Sequence, residues 1–236
     1  MQTVNIKDIN FNKMLLFCSE GKESNLYTDF NSAYKIYKNP DIDMDIKDKK
    51  ISILSSINLP GILRPKVRIV ENGFIGFGMD FIDGKPLTQI NLTKEEIIKI
   101  FKRLSNILKY CHKYGIILSD INLSNILMKT VDEIYFCDSD SCRIYDYEND
   151  SIPMITYKYL INHELSMLKT DVDEQFDKLS LYLNFLYLIF DKKDIFNMTV
   201  EESDNLIEIA GLESQKKLIN KLQKEYVEVP YVGDLL

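Results

Sequence analysis

The hydrophobic period of this chain changes once, near residue 83, and that change constrains its architecture more than any other feature. Before it, short apolar runs alternate with polar punctuation. Residues 13–18 (KMLLFC), LYTDF and AYKIYK are separated by SEGKES and by Asn31 and Ser32, which predicts three consecutive strands in an antiparallel meander. Residues 67–70 and 74–79, split by Glu71-Asn72-Gly73, predict two more, so a five-stranded antiparallel sheet is expected. Between the two groups, residues 43–57 place Ile46, Ile53, Leu54 and Ile57 near a helical spacing, with Lys50 on that face, and stop before Pro60-Gly61. Beyond Asp83-Gly84 the period is helical. Thr93 and Glu96 form a capping-box signature, and Ile97, Ile100, Phe101, Leu104, Ile107 and Leu108 mark one face of a helix reaching about His112. A small hairpin (126–128 and 134–137), a buried helix (179–190) and a last helical pair (201–209 and 215–226) complete the reading. The expected class is α+β, divided into residues 1–82 and 83–236.

Composition narrows the function. The 236 residues are 45% hydrophobic and 28% charged, enough apolar material for a globular core. The formal net charge of −7 argues against phosphate backbones and anionic membrane surfaces as partners. The longest apolar run, 179–190, is too short for a bilayer, which needs about 20 residues. Four cysteines without a C-x-x-C pair, and only two histidines, give no structural zinc site and suit a reducing compartment. The opening MQTVNIKDIN has no apolar core of a signal peptide, so a cytoplasmic location is expected.

The sharpest chemical signal is GIILSDINLSNIL followed by CDSDS. Asp120 and Asn125 stand in a D-x-x-x-x-N arrangement, and Asp138 follows Asn125 by thirteen residues. Phosphoryl transfer needs such groups: a carboxylate to orient the attacking hydroxyl and take its proton, and hard oxygen ligands for Mg²⁺. Asp and Asn also populate turns because their side chains bond nearby backbone, so each residue alone has a plainer explanation. The order is harder to dismiss, because Lys35 on the third strand precedes the set, where a lysine would reach the α- and β-phosphates.

Together these residues resemble the protein-kinase-like superfamily, over roughly residues 15–190, in a form with D-x-D-S where D-F-G is usual. The resemblance implies a bilobal fold, ATP and Mg²⁺ as cofactors, Asp120 as base, Lys35 on the phosphates, and Asn125 and Asp138 as metal ligands. SEGKES looks like a reduced glycine-rich loop with Gly21 its only glycine. MDFIDGKPL looks like the connection between lobes, with Met79 as gatekeeper and the backbone of Asp80, Phe81 and Ile82 offered to adenine. His112 would be structural, Asp177 would brace the catalytic loop, and His163-Glu164 would stand in the segment that usually ends A-P-E. Ser151, Thr156 and Tyr157 would fall in the activation segment.

Several positions depart from the pattern. Leu118 and Ser119 replace His and Arg of H-R-D, so no arginine reads an activation-segment phosphate. Asn122 stands where a lysine usually meets the γ-phosphate, and could still donate a hydrogen bond there. Lys50 occupies the place of the helix glutamate that pairs with the strand lysine; Asp43 and Asp48 are the nearest acids. Asp140 either adds a metal ligand or caps a turn. The expected function is phosphorylation of serine or threonine on a protein. The alternatives are a pseudokinase scaffold and a small-molecule kinase, the latter disfavoured by the 46 residues after Phe190. The closing VEVPYVGDLL either packs on the C-lobe, the favoured reading, or reaches a partner.

Overall fold

The computed structural model describes residues 1–18, 23–144, 147 and 172–236. Gly21, Ser151, Thr156, Tyr157, His163 and Glu164 lie outside the described residues. The chain divides into two compact units, Met1–Gly84 with Cys137–Asp140, and Lys85–Phe136 with Ser141–Leu236.

The first unit is built on strands β1 (Gln2–Asn5), β2 (Leu15–Cys18), β3 (Ser24–Thr28), β4 (Ser32–Tyr37), β5 (Val67–Val70) and β6 (Phe74–Asp80), with helix α1 (Met44–Ser56). The sheet order is β1-β5-β6-β4-β3-β2. The five expected antiparallel strands are present, but the sheet has a sixth: β1 pairs with β5 in parallel, Gln2 opposite Val67 and Asn5 opposite Val70. A four-residue strand that finds its partner 65 residues away leaves no local turn signal, so periodicity alone does not reveal it.

Alternation along β4 buries Ala33, Lys35 and Tyr37 on one face and leaves Tyr34 and Ile36 on the other. Lys35 thus points into the unit beside a core of Tyr37, Ile51, Phe74 and Phe77, with Ile42, Met44 and Met79 packed against it. Gly76 of β6 lies opposite Ile36, and a Cβ there would come within 2.2 Å of the Lys35 carbonyl oxygen. Only glycine permits that approach. Helix α1 starts at Asp43, whose side chain accepts from the Asp45 and Ile46 amides. Its buried face meets the expected one at Lys50 and Leu54, but Lys47 and Ile51 also turn inward, whereas Ile46 is exposed. The physical reason is electrostatic, because Lys47 is drawn in by a buried carboxylate described below.

The second unit carries strands β7 (Lys85–Pro86), β8 (Ile116–Ile117), β9 (Ile126–Thr130), β10 (Glu133–Phe136) and β11 (Arg143–Ile144), and helices α2 (Lys94–Lys113), α3 (Glu174–Ile189), α4 (Val200–Ala210), α5 (Lys216–Leu222) and α6 (Val232–Leu235). The expected capping box is complete: Thr93 Oγ1 accepts from the Glu96 amide and Glu96 accepts from the Thr93 amide at 2.8 Å. Ile100, Phe101, Leu104 and Leu108 are fully buried, and Phe101 meets Phe185 of α3 edge-on at 5.4 Å. Helix α3 begins at Glu174, five residues before the apolar run, because Asp173 caps it on the Phe176 amide. The C-terminal segment packs on its own unit: the Gly233 amide donates to Ser105 Oγ of α2 at 3.1 Å. Among the described residues, no helix is long and apolar enough to cross a membrane.

Candidate functional site

In the first unit, the segment 137–140 meets the buried face of β4 and α1. Lys35 Nζ donates to Asp138 Oδ1, and to Asp140 Oδ1 at 2.8 Å. Asp140 is fully buried, and its other oxygen accepts from Tyr37 Oη at 2.6 Å and from Lys47 Nζ at 2.9 Å. Lys47 also donates to the Asp140 carbonyl at 3.2 Å, and both ammonium groups lie over the Tyr37 ring, at 5.7 Å and 5.3 Å from its centroid. Burial alone would lower the Lys35 pKa, but the Asp140 and Asp138 carboxylates more than reverse it, so the ammonium is held well above its ordinary range. Burial likewise works against the Asp140 carboxylate, and Lys35 and Lys47 overcome it, holding its pKa far below the ordinary value. Asp138, in left-handed backbone at φ 60°, keeps about a third of its side chain exposed (36%).

In the second unit, the loop after β8 is anchored from beneath. Asp177 of α3 is fully buried and accepts from the Leu118 amide at 2.7 Å and the Ser119 amide at 2.8 Å. His112 Nε2 stands 3.1 Å from the same carboxylate, with Nδ1 2.7 Å from Tyr231 Oη. Burial pushes the Asp177 pKa up, against the lowering effect of His112 and the two amides. These bonds hold Ser119 at φ 60°, a conformation that a non-glycine residue adopts only under constraint. The strained turn presents Asp120. Its Oδ1 accepts from Asn122 Nδ2 at 3.1 Å and its Oδ2 from Asn125 Nδ2, also at 3.1 Å. Asn122 Oδ1 caps the following turn by accepting from the Ser124 and Asn125 amides, each at 3.0 Å. Beside this loop a cavity of about 520 Å³ is lined by Asn122, Leu123, Ser124, Tyr187, Asp194 and Phe196, among others.

A family model for the protein kinase domain matches residues 23–230. The chain belongs to the protein kinase family. It is therefore a kinase-like phosphotransferase domain. No curated protein matches it.

Within this kinase domain, the acids expected to face Lys35 from the helix do other work. Asp43 is the α1 cap, and Asp48 binds Arg68, accepting from Nε at 2.7 Å. Lys50 is fully buried on α1. The partners of Lys35 come instead from Asp138 and Asp140, and the helix contributes a cation, Lys47. Asp140, weighed as a metal ligand or a turn cap, has both oxygens committed to Lys35, Lys47 and Tyr37. Met79 packs against the first-unit core, and Asp80 pairs with Ser32 across the sheet. The Phe81 amide donates to the Asn31 carbonyl at 3.0 Å, and the Ile82 carbonyl accepts from the Gly84 amide at 2.8 Å. Sequence reasoning missed Lys47, Tyr37 and Gly76. Only Tyr37 had a local signal, its i+2 relation to Lys35 on a strand.

Proposed function

We propose that this kinase domain transfers the γ-phosphoryl group of ATP to a serine or threonine hydroxyl of a protein, with Mg²⁺ as cofactor. One observation carries the reading: each oxygen of the Asp120 carboxylate accepts one side-chain amide, from Asn122 and Asn125, in a loop that Asp177 braces through two backbone amides. A carboxylate oriented in this way can accept the hydroxyl proton while the oxygen bonds to phosphorus and the bond to ADP breaks. Lys35 holds phosphate oxygens. Asn122 acts through Asp120, because its amide is engaged inside the loop. Gly21, Met79 and the backbone of residues 80–82 serve the nucleotide, although the Phe81 amide is itself bonded to the Asn31 carbonyl.

The residues fit a hard cation. The Asn125 amide nitrogen is spent on Asp120, which turns its carbonyl oxygen to other use, and Asp138 keeps an exposed carboxylate. Each offers an oxygen from its own unit, and on the sequence pattern we assign both Asn125 and Asp138 to Mg²⁺. When bound, it supplies positive charge to the phosphate oxygens as negative charge develops there. The cavity beside Asn122–Ser124, with apolar walls and the charged Lys193 and Asp194, suits a side chain flanking the phosphorylated hydroxyl.

The test is transfer from radiolabelled ATP to generic protein substrates, by wild type and by Asp120→Asn. The expected loss is on the order of 10²–10⁴-fold, the usual contribution of a positioned base. Equal transfer by both proteins would refute the assignment. A pseudokinase is the second reading, favoured by the engagement of Asn122 within its own loop, which leaves a cation missing near the transferred group. ATP binding without transfer by wild type would select it.

A further inference from the structure

We propose that Asp140 is the positioning residue for Lys35, clamped from behind by Lys47 and Tyr37, so that α1 supplies a cation to the lysine's counterion where a carboxylate was expected. This deepens the kinase reading and rests on Lys35 acting on nucleotide phosphates.

The geometry assigns separate tasks to the two acids of the D-x-D-S segment. Asp138 bonds Lys35 and keeps part of its carboxylate open to solvent, so it can exchange partners. Asp140 has no such freedom. One oxygen holds Lys35 at 2.8 Å, and the other is closed off by Tyr37 at 2.6 Å and Lys47 at 2.9 Å. Recruiting Asp140 to a metal would take a carboxylate from two buried ammonium groups, which is costly in a low-dielectric interior. Once Asp138 turns to another cation, Asp140 is the carboxylate that still holds Lys35 in place. The clamp also ties α1 to the segment 137–140 through two bonds from Lys47, one of them to the Asp140 carbonyl.

The experiment uses the full chain and three variants: Asp140→Asn, the double variant Asp140→Asn/Lys47→Met, and Tyr37→Phe. ATP affinity is measured by calorimetry with and without Mg²⁺, and hydrogen exchange of the peptide containing residues 137–140 is measured without nucleotide. The double variant removes the buried carboxylate together with the second lysine, so a merely structural partnership is cancelled rather than broken. The expected result is a melting temperature near that of wild type, at least about tenfold weaker ATP binding and at least about tenfold faster exchange, as suits the loss of a charge-assisted bond. If the double variant melts like wild type and both readouts stay unchanged, Asp140 only neutralises Lys47 and the proposal falls. Should the double variant fail to fold, Tyr37→Phe decides: a rise of about threefold in both readouts is expected from losing one neutral hydrogen bond, and no change in either overturns the clamp. Wild type that binds no ATP would sink the kinase reading alone, because the exchange measurement would still report on the clamp.

Discussion

Asp140 in the first unit and Asp177 in the second are both sealed from solvent, and each ties other segments of its own unit together, yet their partners are opposite in kind. Asp140 is met by two ammonium groups and a phenol; Asp177 is met by two backbone amides and an imidazole. Burial disfavours the charged form of both. Cationic neighbours more than offset that penalty at Asp140 and depress its pKa, whereas the partners of Asp177 leave its pKa raised. A carboxylate that must fix a lysine's charge and one that must fix a backbone turn thus need different surroundings.

The largest effect that can break this comparison is expected from Asp140→Leu. It leaves Lys47 buried beside an apolar group and should destabilise the protein by about 3–5 kcal/mol in urea denaturation, the scale for breaking a buried ion pair. Asp177→Asn keeps the shape and one acceptor oxygen, so the expected loss is about 1–3 kcal/mol, with ATP affinity little changed. A larger loss from Asp177→Asn than from Asp140→Leu would reverse the ranking argued here. Gly76→Ala asks whether Lys35 depends on its backbone support as well as on its counterion. A methyl group driven toward the Lys35 carbonyl should cost about 1–3 kcal/mol, and wild-type stability in this variant would show that β4 yields easily.

The smallest effect is in pH dependence, and its sign differs between the two acids. The Asp140 pKa is depressed on folding, so its contribution is present above the ordinary value of 3.8 and fades as pH falls below it. The Asp177 pKa is raised, so the folded state takes up that proton more readily and acid favours it at this site. Denaturation between pH 5 and 3 should therefore show a shallower acid loss in Asp140→Asn than in wild type, and a steeper one in Asp177→Asn; parallel slopes would refute the assignment. At the alkaline end, the raised Lys35 pKa contributes stability that is complete below 10.5 and declines above it.

What could be read directly from the sequence was local. Thr93 and Glu96 announce their helix because the capping box closes within four residues, and Ile97 to Leu108 reveal its buried face because apolar side chains recur every three or four positions. The strand carrying Lys35 and the D-x-x-x-x-N loop were equally visible, since short spacings set what Asp120, Asn122 and Asn125 can touch. The same logic was half right on α1: Lys50 and Leu54 face inward as expected, but so does Lys47, which apolar periodicity passes over, and Ile46 is exposed. Nor could any local pattern match Lys35 to Asp140, 105 residues away, or Lys47 to Asp140, 93 residues away. The sequence by itself determined the class of fold, the family and the order of the chemical groups, because those follow from periodicity and short spacing. Which acid answers which lysine was decided only by tertiary structure, because a buried charge needs opposite charges or hydrogen-bond donors and acceptors that only the folded chain brings within reach.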